Sequence, residues 1–121
     1  SLEHTKKINI LLVDDRPENL IALEAVLNHP DYHLVKATSG EQALMHLLKN
    51  EFAVILLDVQ MPGLDGFETA ILIRKREKSK EIPIIFITAI YKDELHTAKG
   101  YQIGGVDYIF KPFDPNTLRY K

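Results

Sequence analysis

Five short apolar runs recur along the chain, and the segments between them carry leucines, valines and isoleucines at helical rather than strand spacing. The runs are Ile8–Val13, Tyr32–Ala37, Ala53–Leu57, Pro83–Ile87 and Tyr108–Phe110. A run that is apolar at nearly every position, as Ile8–Val13 is apart from Asn9, suits a parallel strand covered on both faces. An antiparallel strand with one wet face would alternate instead. Strand and helix taking turns in this way predict a doubly wound α/β fold: one five-stranded parallel sheet with right-handed crossovers and helices on both faces.

The connecting segments are punctuated accordingly. Pro17 opens a first helix that runs to about residue 28, with Leu20, Leu23, Val26 and Leu27 on one side. Ser39 and Gln42 form a capping-box pattern ahead of Ala43, Leu44, Leu47 and Leu48. Pro62, Gly63 and Gly66 make VQMPGLDG a loop before a third helix, Phe67–Arg76. Its consecutive Ile71, Leu72 and Ile73 predict a helix seated deeply between neighbours. A fourth helix is expected over Lys92–Lys99, stopped near Gly100, and a fifth starts at Asp114 and Pro115 but is truncated after about two turns. Residues 1–6 read as a polar extension and residues 7–121 as a single domain.

A parallel sheet brings the carboxyl ends of its strands to one edge, which is where open α/β folds place their ligands. Here those ends carry a distinctive set: Asp14 and Asp15 after the first strand, Asp58 after the third, Thr88 after the fourth and Lys111 after the fifth. Three gathered carboxylates repel one another unless a cation shares the site. Mg²⁺ suits the role, being hard and satisfied by one or two carboxylates with waters and phosphoryl oxygens. Asp58 stands alone before a loop and is the natural nucleophile toward phosphorus, while the adjacent Asp14 and Asp15 are suited to holding the ion. Lys111 offers a point charge to phosphoryl oxygens and Thr88 a hydroxyl. Each residue alone has an ordinary reading as a turn, cap or solvated edge group. It is their placement on successive strand ends that points to one phosphoryl site.

Composition narrows the alternatives. The chain has no cysteine, which excludes disulfides and thiolate zinc sites and is compatible with the cytoplasm. Fifteen Lys and Arg against seventeen Asp and Glu leave a charge of -2, with no basic stretch for direct nucleic-acid binding. No apolar run has the length of a membrane span. His4, His29, His33, His46 and His96 lack metal-ligand spacing and read mostly as surface residues.

With these residues in view, the chain from Lys7 onward resembles the receiver domain of the two-component response regulator family. The resemblance is carried by VDD at Val13–Asp15, LLDVQMPGLDG at Leu56–Gly66, ITA at Ile87–Ala89 and KPF at Lys111–Phe113. It implies a flavodoxin-like sheet of strand order 2-1-3-4-5. It also implies that Asp58 accepts a phosphoryl group from a phosphohistidine on a histidine kinase or histidine phosphotransfer domain. Mg²⁺ would be bound by Asp15 and Asp58 directly, by the backbone carbonyl of Gln60, and by Asp14 through water. Thr88 would move toward the phosphoryl group and Tyr108 turn inward behind it, switching an output and homodimer face built from the fourth helix, fifth strand and fifth helix. The Lys111–Pro112 bond would be cis. An output or kinase domain attached in the full-length protein is the expected companion.

Rival readings are weighed on single positions. An aspartate-nucleophile phosphohydrolase typically carries a second Asp two residues after the first, where this chain has Gln60. The missing proton donor argues against turnover of outside phosphate esters, so the domain is read as no enzyme in that sense. A flavin carrier needs a phosphate-cradling loop after the first strand, where DDRPEN repels phosphate. A phosphorylation-independent interaction module of the same fold is the remaining alternative.

Overall fold

The computed structural model describes residues 7–89 and 106–111. Its elements are β1 (Ile8–Val13), α1 (Pro17–Val26), β2 (Tyr32–Ala37), α2 (Gly40–Lys49), β3 (Val54–Asp58), α3 (Gly66–Lys75), β4 (Ile84–Thr88) and β5 (Val106–Phe110). The strands form one sheet in the order β2-β1-β3-β4-β5, every neighbouring pair parallel. This is the doubly wound, flavodoxin-like order that the resemblance implied. The expected fourth and fifth helices, the Lys111–Pro112 bond and most of the proposed output face lie outside the described residues.

The two faces of the sheet divide its side chains as the period of a strand requires. Leu11, Val13, Ile55, Leu57, Ile84 and Phe86 pack with residues of α2 and α3. Ile10, Leu12, Leu56, Ile85, Ile87 and Ile109 pack with Leu20, Leu23 and Leu27 from the α1 side. Two cores thus sandwich the central strands β1, β3 and β4, which explains their unbroken apolar runs. Of the three consecutive apolar residues on α3, Ile73 is fully buried, while Ile71 and Leu72 are partly buried against the same core, as expected of a deeply seated helix.

Some local expectations shift. β3 and β4 each start and end one residue later than the apolar pattern indicated, so Asp58 and Thr88 are the last residues of their strands and are held by the sheet. α1 ends at Val26, where the Leu27 N–H closes on the Leu23 carbonyl. Leu48, expected on the apolar face of α2, is instead 58% exposed beside the similarly exposed Met45. Gly40, Ala43, Leu44 and Leu47 form the buried stripe of a helix whose other side faces solvent. Ser39 accepts the Gln42 N–H at 3.1 Å, but the Gln42 side chain takes the Thr38 N–H rather than that of Ser39, leaving half a capping box.

The complete box stands at α3. Asp65 accepts the Glu68 N–H at 2.8 Å and Glu68 accepts the Asp65 N–H at 3.0 Å, so two otherwise orphaned donors are satisfied reciprocally. Asp65→Ala is expected to lower stability by about 1–2 kcal/mol, and Asp65→Asn by much less, as read from urea midpoints. Equal losses in both variants would mean that the cap contributes little. Among the described residues no helix is long and apolar enough to cross a membrane.

Candidate functional site

The carboxyl edge of β1, β3, β4 and β5 gathers the chemistry. Asp14 and Asp15 follow β1 immediately, Asp58 ends β3, Thr88 ends β4 and Lys111 follows β5. Parallel pairing holds these ends side by side: Asp58 is level with Ile87 and Thr88 with Phe110. The Lys111 N–H continues the ladder by donating to the Thr88 carbonyl at 2.8 Å. Carboxylate oxygens of Asp14, Asp15 and Asp58 all lie within 4.8 Å of one another.

Lys111 binds the cluster from one side. Its Nζ is 3.5 Å from Asp14 Oδ2 and 3.8 Å from Asp58 Oδ1. Asp14 is almost wholly buried, and its charge is met by a set of donors. The Arg16 N–H donates to Oδ1 at 3.0 Å, and the Asn19 amide reaches both oxygens at 3.3 and 3.1 Å. A buried carboxylate without such donors would be costly.

Asp58 is less well compensated. Burial, then the charge of Asp14, pushes its carboxyl from the usual 3.8 up to about 6; Lys111 and the Gln60 N–H pull the other way, and Asp15 adds a smaller push. The donor set is hard oxygen, crowded and short of positive charge, which is the chemistry a divalent cation satisfies. The residues present therefore fit such an ion.

Thr88 is buried at the end of β4, and Gln60 is exposed in the loop after β3. Tyr108 sits apart from the carboxylates. It stacks on Phe86 at 5.4 Å between ring centroids and on Phe110 at 6.3 Å, while Phe86 meets Phe67 edge-on at 5.2 Å. Partial burial there pushes the Tyr108 hydroxyl pKa up. Reading the sequence does not single out Asn19. Its signal was an amide in the first turn of the helix that follows the acidic pair, a position that ordinarily faces water.

Residues 10–121 match the model of the response regulator receiver domain family. The chain is 36% identical over 117 residues to the transcriptional regulatory protein ResD of Bacillus subtilis (strain 168), covering 97% of this chain and 47% of ResD. It thus spans about half the length of that relative. Among solved structures, chemotaxis protein CheY4 of Vibrio cholerae superposes with a TM-score of 0.85 at 31% identity, covering 94% of each chain. The receiver domain of sensor histidine kinase PA1611 from Pseudomonas aeruginosa PAO1 superposes with a TM-score of 0.84 at 32% identity, covering 94% of this chain and 93% of that one. That receiver has a magnesium ion coordinated in its active-site cleft.

Proposed function

The chain belongs to the response regulator receiver domain family, and from that premise we propose that it is a phosphorylation-controlled switch whose acceptor is Asp58. The observation that carries this reading is the convergence of Asp14, Asp15 and Asp58 within 4.8 Å, with Lys111 reaching two of them. The donor is a phosphohistidine on a histidine kinase or histidine phosphotransfer domain. A carboxylate oxygen of Asp58 forms the new bond to phosphorus as the bond from phosphorus to the imidazole nitrogen breaks, and the electron pair returns to the ring. Residues 7–121 constitute this receiver unit, residues 1–6 are a polar extension, and the domain works in the cytoplasm as part of a longer protein with an output or kinase domain.

Asp58 must be ionised to attack, and with its carboxyl near 6 it is ionised at neutral pH and above. Asp15, Asp58 and the backbone carbonyl of Gln60, with Asp14 through water, would hold Mg²⁺, which would supply the positive charge that the crowded carboxylates and phosphoryl oxygens both need. Lys111 places its ammonium against the phosphoryl oxygens. Thr88 offers its hydroxyl to another of them, and Tyr108, stacked on Phe86 in the neighbouring strand, carries the change to the output face of the fourth helix, fifth strand and fifth helix. With Gln60 where a turnover phosphatase places an acid, the domain transfers and loses its own phosphoryl group without turning over outside esters.

Incubation with Mg²⁺ and a small acyl phosphate, followed by intact-mass measurement, tests the reading. A phosphate-sized increase is expected in the natural chain and none in Asp58→Asn. An unchanged mass together with no Mg²⁺ binding would favour a phosphorylation-independent interaction module. Steady phosphate release from unrelated esters would favour a hydrolase.

A further inference from the structure

We infer that Asn19 is a positioning residue that decides which carboxylates of the cluster are available to a cation and limits how strongly Asp14 draws Lys111 away from the phosphoryl group. The inference rests on the phosphoacceptor reading of Asp58 and begins from the hydrogen bonds of Asp14. A carboxylate has about four acceptor positions, two on each oxygen. On Asp14 most are engaged: Oδ1 accepts from the Arg16 N–H and the Asn19 amide, and Oδ2 from the same amide and, at 3.5 Å, from the Lys111 ammonium. Among the described residues nothing donates to the carboxylate of Asp15. Two adjacent acids are thereby made unequal. Asp15 is open toward the cluster, whereas Asp14 is held by its donors and is left to reach a cation through water.

Asn19 is the neutral member of that set, and its position follows from the fold. Pro17 starts α1 one residue after the acidic pair, with Arg16 as its N-cap, so Asn19, the third residue of the helix, reaches back to the carboxylate of Asp14 just past the strand. Removing the amide leaves Asp14, only 2% exposed, with the Arg16 N–H and Lys111 as its donors. A buried anion that loses donors draws harder on those that remain. Lys111, which now lies between Asp14 and Asp58, is drawn toward Asp14 and away from the group it must neutralise. At the same time the freed positions of Asp14 become available to a cation. Metal affinity and phosphoryl transfer should therefore move in opposite directions, which a general loosening of the site would not produce.

The test measures Mg²⁺ alone by titration calorimetry, and labelling by a small acyl phosphate at saturating Mg²⁺ by intact mass. The variants are Asn19→Ala and Asn19→Gln in the same chain, with thermal unfolding followed for each. Asn19→Ala is expected to bind Mg²⁺ about threefold more tightly and to be phosphorylated about tenfold more slowly, the scale of one or two lost charge-assisted hydrogen bonds. Asn19→Gln, which keeps the amide, should recover part of both. Natural values in both assays, or both weakened together, would overturn the positioning role. If the natural chain itself is not labelled, the acceptor reading fails, and the calorimetric arm alone then decides on Asn19, an unchanged Mg²⁺ affinity overturning its role.

Discussion

Asp58→Asn is expected to stabilise the fold by about 2–3 kcal/mol near neutral pH, with the gain disappearing below about pH 4. The cause is the displacement of the Asp58 carboxyl from 3.8 to about 6, set first by burial and second by the charge of Asp14. Below about 4 the group is protonated whether the chain is folded or not, and it contributes nothing to the difference. Between 4 and 6 the folded chain holds a proton that the unfolded chain has released, so stability falls as pH rises. Above 6 the carboxylate is charged in both states and the full cost of burying it persists. Two pKa units correspond to nearly 3 kcal/mol, and the open mouth of the site trims that figure. Asparagine keeps the shape and the acceptor for the Gln60 N–H while removing the charge. Urea unfolding of both forms across pH 4 to 8 measures the effect. A difference independent of pH, or one that grows in acid, would show that the displacement is not the source. Adding Mg²⁺ should stabilise the natural chain more than the variant and narrow the gap, because an ion that binds only the folded site adds stability by mass action.

Part of the site is legible in the sequence alone and part is not. Residues that end apolar runs announce themselves, because a charged group at the rim of a buried strand interrupts an otherwise continuous pattern. Asp14, Asp58, Thr88 and Lys111 were all readable in this way, and the sheet of β1 to β5 places them on one edge. What the pattern does not carry is how deeply a strand-end residue is covered. Asp14 is buried because α1 begins over it, and only then does Asn19 acquire a task. The reciprocal cap of Asp65 and Glu68 was hidden for a related reason. Its residues straddle the end of a glycine-rich loop, where turn chemistry dominates the reading. Leu48 erred in the other direction, since helical spacing places it next to Leu47 but cannot say how wide a stripe the sheet will cover.

Gly66→Ala should be the most damaging small substitution near the site, lowering stability by about 2–4 kcal/mol and slowing phosphorylation by at least about tenfold. Gly66 is the first residue of α3 and its N–H donates to the Val59 carbonyl at 2.8 Å. A Cβ built there would collide with the Asp58 carbonyl oxygen and lie 2.7 Å from Val59 Cα. Both obstacles are backbone, so no side-chain rotation relieves the contact. β3 cannot retreat, because Asp58 and Leu57 are paired to β4 on one side and Leu57 to β1 on the other. The start of α3 must therefore move, and with it the Asp65 cap and the edge contact of Phe67 with Phe86. Any residual push falls on Asp58, the proposed acceptor. Gly63 is the internal control. It has a positive φ of 71° but nothing within 4 Å of a built Cβ, so Gly63→Ala costs about 1 kcal/mol in backbone strain and leaves phosphorylation near the natural rate. If Gly66→Ala is no more harmful than Gly63→Ala in urea unfolding and in mass-detected labelling, then α3 is not clamped against Asp58 and the rigidity assigned to the acceptor has another source.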